Sequence, residues 1–135
     1  MKTLRIALSA ALLLAASISF AQTKPGDLVA DVPFAFIAAG RTLPPGHYVV
    51  NNLNENLGIH DAKNQGVFVP VHRAERPPLE NSSKLVFHRY GDTYFLSEVW
   101  VSGNSIGRAL FPSRAERNLV ESGKEREIAV VLMQR

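Results

Sequence analysis

From position 30 the chain alternates. Ala30, Val32, Phe34 and Phe36 fall on one side of an extended segment, with Asp31, Pro33 and Ala35 on the other. A period of two predicts a strand with one buried face. Pro33 has no N–H to give to a ladder, which predicts an edge or a bulge there. The stretch AAGRTLPPG (38–46) reads as a turn region, reversed by its Pro-Pro-Gly. Alternation resumes on Tyr48 and Val50, then on Leu57 and Ile59, then on Val67, Val69 and Val71. These segments read as hairpins joined by short loops. The stretch AERPPLENSS (74–83) has no apolar period and reads as an exposed loop or crossover.

The densest segment is KLVFHRYGDTYFLSEVW (84–100). Gly91-Asp92 is a Gly-X loop of the II′ kind, because Gly supplies a positive φ at the first central position. Centred there, the hairpin pairs Tyr90 with Thr93, Arg89 with Tyr94, His88 with Phe95 and Phe87 with Leu96. Strict alternation then sets Phe87, Leu96 and Trp100 on one face, and His88, Phe95 and Val99 on the other. The stretch SGNSIGRALFP (102–112) reads as a Gly-rich connection. Ser113 and Glu116 have capping-box spacing, predicting a short helix from Arg114 to about Glu121 that stops near Gly123. In EIAVVLMQ (127–134) both faces are apolar, which predicts a strand buried on both sides. The sum is a mainly β chain: a small antiparallel β-sandwich or barrel of about seven strands, with one short helix near the C-terminus.

The first 21 residues stand apart. Lys2 and Arg5 precede an apolar run rich in Ala and Leu, and Ser19-Phe20-Ala21 ends it with small residues at −3 and −1. That is a Sec-type signal peptide, with cleavage expected after Ala21 and a secreted or periplasmic product. The run is shorter than the roughly 20 apolar residues that span a bilayer, and no second run could span. The organisation expected is a signal peptide at 1–21, a flexible leader at 22–29 and one β-rich domain at 30–135.

Composition then changes the picture in two ways. The whole chain of 135 residues carries a net charge of +3, but Lys2 and Arg5 would leave with the leader. The remaining charge of +1 withdraws the main support for nucleic-acid binding. There is no Cys, so neither a disulfide nor a lipid-modified cysteine is available, and stability must come from a packed core.

The chemistry on offer is sparse. Asp92 and Glu98 in a regular hairpin stand about 20 Å apart at about 3.3 Å per residue. Paired carboxylates for glycoside hydrolysis need about 5–9.5 Å. Arg89 is expected over the Tyr94 ring. Glu98, sharing a face with Trp100, needs a partner, and Arg89 or Arg108 could supply it. His47, His60, His72 and His88 lie on different predicted strands, without the close spacing of metal ligands. No nucleophile motif or phosphate loop is present. Arg114, Arg117, Lys124 and Arg126 interleave with Glu116, Glu121, Glu125 and Glu127, as on a solvated, salt-bridged face.

Val32-Pro33-Phe34-x-Phe36, Gly40, Leu43-Pro44-x-Gly46-x-Tyr48 and the later Phe87-x-x-Tyr90-Gly91-Asp92 resemble a group of small, secreted, uncharacterised bacterial proteins. That group opens with VPFxFxxGxxxLPxGxY and carries an FxRYGDxYFLxxVW hairpin. Pro45 stands where the group more often has a small residue. The resemblance implies export and a single β-rich domain, with no catalytic residues to carry over.

The function expected is therefore a non-enzymatic binding or scaffolding role at the cell envelope, without a cofactor. The alternatives are a barrel-type carrier of a small apolar ligand, lined by residues such as Phe34, Phe36, Tyr48, Phe87 and Trp100, and, below it, a hydrolase. The candidate ligand or surface site is His88, Arg89, Tyr94, Glu98 and Trp100. Pro33 also hints at an edge strand open to a protein partner or to self-association.

Overall fold

A computed structural model describes residues 27–53, 56–63, 65–75, 82–103 and 106–134. The expected signal peptide, most of the expected leader and the proline-rich part of the 74–83 stretch lie outside the described residues.

Among the described residues ten strands form in chain order: β1 (Leu28–Val32), β2 (Phe36–Ala38), β3 (Arg41–Leu43), β4 (Gly46–Leu53), β5 (Asn56–His60), β6 (Gly66–Glu75), β7 (Lys84–Tyr90), β8 (Thr93–Trp100), β9 (Ile106–Leu110) and β10 (Glu127–Leu132). One helix, α1 (Arg114–Glu121), precedes β10. The chain is mainly β with one short helix near the C-terminus, as its pattern predicts. Among the described residues, no helix is long and apolar enough to cross a membrane.

The three strands beyond the expected seven have local causes. Pro33 interrupts the first predicted strand, which becomes β1 and β2. The expected turn region is itself a hairpin: β2 and β3 join through Ala39 and Gly40, both at positive φ (52° and 76°). Positive φ at both central residues is the I′ geometry that matches strand twist. The Gly-rich connection contains β9, whose Gly107 gives room to Trp100: a Cβ there would meet the indole at 2.8 Å. Glycine was a sign of close approach, not of a loop.

Neighbouring ladders run β1–β4–β5–β6–β9–β8, then β8 to β7 and β7 to β10, while β2 lies parallel against β8 at Ile37–Phe95. Two hydrogen bonds between Val29 and Gln134 (2.7 and 2.9 Å) pin β1 to the segment just past β10. The sheet is thus rolled, and its two flanks meet at one seam. Inside lie Leu28, Ala30 and Val32, then Phe36, Tyr48, Val50, Leu57, Ile59, Val67, Val69, Leu85, Phe87, Leu96 and Met133. Phe36 meets Tyr48 and Phe87 edge-on at 5.3 and 5.4 Å. Phe34 stacks on Tyr94 at 3.8 Å and meets Phe87 edge-on. Four of the five side chains expected to line a carrier cavity therefore pack on one another or on Tyr94.

β10 departs from expectation. Ala129, Val131 and Met133 face the core, but Ile128, Val130 and Leu132 are more than half exposed. The strand sits beside the seam, with nothing described over its outer face, so its two-sided apolarity reflects one buried side.

Candidate functional site

The hairpin forms about Gly91-Asp92 with the four expected cross-strand pairs. Gly91 takes φ 61° and Asp92 is not among the positive-φ residues, which is the II′ pattern. Arg89 lies 5.3 Å from the Tyr94 ring centroid, and its Nε donates to Gly91 O at 2.7 Å.

Beyond Leu96 the pairing shifts. Phe87 opposes Leu96 and Val86 opposes Glu98, so Ser97 is an extra residue on β8, a bulge. Leu96 and Val99 consequently face the core, while Phe95, Glu98 and Trp100 face outward. This corrects the strict alternation, which had set Trp100 beside Phe87. It also divides the five candidate residues: Arg89 and Tyr94 belong to the inner face, and His88, Glu98 and Trp100 to the outer. Glu98 accepts from Trp100 Nε1 at 2.7 Å, so neither expected arginine is its partner.

The outer face holds a cluster that the sequence did not announce. Glu116, 6% exposed, is the one buried residue of α1. Its Oε2 accepts from His88 Nδ1 at 2.8 Å and from Tyr90 OH at 3.0 Å. The His88 Nε2 meets the Ser97 hydroxyl at 3.0 Å, accepting from it when the ring is neutral and donating to it when the ring is charged. Burial by itself would raise the Glu116 carboxyl. The hydrogen bonds from His88 and Tyr90, with the charges of His88 and Arg126, outweigh burial and hold it below its ordinary value. Tyr90 is raised by burial and by its bond to Glu116.

Carboxylate to Nδ1 and Nε2 to hydroxyl is the connectivity of a nucleophilic serine. The small hollow under α1 reaches Glu116, Phe95 and Leu96 but neither His88 nor Ser97. The cluster's evident work is mechanical: it fastens a helix that buries little apolar surface. The capping box is half made, since Ser113 Oγ accepts from Glu116 N at 3.2 Å while the Glu116 side chain turns to the sheet. Glu116 therefore leaves the interleaved surface charges expected of it.

A second feature lies elsewhere. β6 pairs with β5 up to Pro70–Asn56 and with β9 from Val71–Leu110 onward. At this handover an open groove of about 590 Å³ is lined by Asn56, Pro70, Val71, His72, Arg73, Arg108 and Phe111. Phe111 is 62% exposed and lies 4.8 Å from the His72 ring. His47 pairs with Asp31 at 2.6 Å, so the histidines occupy separate environments. No cluster of three or more potential metal ligands occurs among the described residues. None of the groove residues belonged to the expected site. The signal available was HRA against GRA, two arginines in tripeptides that hold no acid, but only the register brings them together.

No family model, curated protein or solved structure matches the chain.

Proposed function

We propose that the chain is an exported, non-enzymatic binding domain of the cell envelope, and that it engages its ligand through the groove at the β6 handover. The observation carrying this reading is the exposed Phe111 ring against His72, at a concavity where one ladder ends and another begins. Ligand sites favour such concave places, with apolar walls and a few polar groups. Export rests on the leader pattern of residues 1–21. The apolar-carrier alternative has less support, because the aromatic rings it needs as lining pack on one another.

Two measurements test this. The chain expressed with its leader is expected in the extracytoplasmic fraction with Gln22 as its first residue. Purified domain is expected to cosediment with washed cell envelopes, and His72→Ala/Phe111→Ala to be retained several-fold less. Equal retention of the two would sink the groove as the binding face.

A second reading, a serine hydrolase, is favoured by the Glu116–His88–Ser97 connectivity alone. It requires covalent labelling of Ser97 by a fluorophosphonate, abolished by Ser97→Ala. An unlabelled wild-type chain leaves the cluster as the fastening of α1.

A further inference from the structure

Arg73 and Arg108 are direct cross-strand partners in the β6–β9 ladder. Side chains opposite one another on antiparallel strands have Cβ atoms about 4.5–5.5 Å apart, and like charges there repel. Neither arginine has an ion pair among the described residues. Glu75, two residues along β6, does not line the groove and pairs with neither. Glu98, opposite the adjacent Ala109, is occupied by Trp100. Arg108 Nε is also buried without a hydrogen-bond partner. A buried donor without a partner is destabilising. Repulsion and an unmet donor thus coincide at the groove already read as the binding face.

We propose that this groove binds a phosphate group, held between the Arg73 and Arg108 guanidinium forks. An anion there would relieve the repulsion, and a small shift of the Arg108 side chain would bring its shielded Nε to the same acceptor. Phosphate suits the pair better than carboxylate, because two forks need more acceptor oxygens than one carboxylate presents. His72, one residue before Arg73 and so on the other side of the pleat, lines the groove with Phe111 and Pro70, which offer an apolar face to whatever carries the phosphate. The chemistry is shared by a free phosphorylated metabolite and by a phospholipid headgroup at the envelope. The proposal rests on the groove being the binding face but adds the ligand's charge and shape.

The test uses the leader-less chain in phosphate-free buffer. Inorganic phosphate and phenyl phosphate are titrated while amide shifts and Tm are followed, beside sodium acetate as the carboxylate control. Vesicles of phosphatidic acid in phosphatidylcholine, against phosphatidylcholine alone, form the lipid arm. Phosphate is expected to shift amides of residues 71–73 and 108–111 and to raise Tm, with phenyl phosphate at least several-fold tighter. Arg73→Gln, at an exposed position, is expected to fold with Tm at or above wild type and to weaken phosphate binding by about tenfold or more. Arg108→Lys, which keeps the charge but loses the fork, is expected to weaken it as well. Cosedimentation with phosphatidic acid vesicles would assign the lipid source, and phenyl phosphate binding without it the soluble source.

Phosphate that moves no groove amide, acetate that binds equally well, or Arg73→Gln that binds as wild type would overturn the proposal. Loss of envelope retention in His72→Ala/Phe111→Ala with no phosphate response would fell this inference and leave the binding face standing. Phosphate binding in a chain that ignores envelopes would do the reverse.

Discussion

Glu116 does for α1 what an apolar stripe does for most helices. No other residue of the helix is buried, and Val120 is half exposed. Removing one partner from a buried, hydrogen-bonded pair leaves the other uncompensated, so Glu116→Ala is expected to cost about 3 kcal/mol in urea unfolding at neutral pH. The same carboxyl sets an acid limb. Its folded-state pKa lies below the ordinary value of 4.5, so its contribution is complete above that value and fades as pH falls through the lower one. Glu116→Gln is expected to flatten stability against pH in that acid window, read as urea midpoints between neutral and strongly acid buffers. Ala39 makes a contrasting case. An exposed non-glycine residue at φ 52° before Gly40 is strained, and Ala39→Asn would supply the Asn-Gly pair that this turn prefers. A gain of about 0.5–1 kcal/mol, seen as a higher Tm, is the expected result. Neither residue's role could be read locally. Glu116 has the spacing of a capping box, and nothing nearby says that its partner lies 28 positions away.

Elements were legible wherever one short-range rule decided them. Ser113 caps α1 and Gly123 follows it at φ 79°, as spacing alone predicts. Ser113→Ala is expected to lower stability by about 1 kcal/mol in the same unfolding assay. Gly91 fixed the β7–β8 turn and with it four cross-strand pairs. What failed was the assumption that a strand keeps its alternation throughout. Ser97 breaks it, and the burial of Leu96, Val99 and Trp100 follows the break. β10 failed for a different reason. Apolar residues on both faces do not reveal whether both faces have neighbours, and among the described residues only the inner one does. Gly107→Ala is expected to displace the Trp100 ring, because its Cβ would sit 2.8 Å from the indole. A change in tryptophan emission at unchanged far-UV circular dichroism would report that shift.

At the scale of the molecule, no local pattern foretold that Val29 and Gln134 would meet. Their bridge joins the two flanks of the sheet, and it is far narrower than the multi-residue ladders elsewhere. Narrow pairings open more readily. The amides of Val29 and Gln134 are expected to exchange with deuterium well before those of β4, β5 and β7. Removal of residues 133–135 takes Met133 from the core and both seam hydrogen bonds with it. A loss of about 2–5 kcal/mol, the scale for truncating a buried Met, is expected in urea unfolding. The groove belongs to this scale too. Its two arginines come from segments 35 positions apart, and only the handover from β5 to β9 sets them face to face.

Ser97 carries one last implication. Leu96 before it points inward, Glu98 after it points outward, and Val99 returns inward. Deleting Ser97 would therefore leave every remaining residue of β8 on the side it already occupies. The pleat does not need this residue. A strand one residue longer than its own geometry requires holds a hydroxyl at His88 and nothing else that the sheet would miss. A Ser97-deleted chain is accordingly expected to fold with its core in place, whereas one residue inserted after Phe95 would turn half the strand inside out.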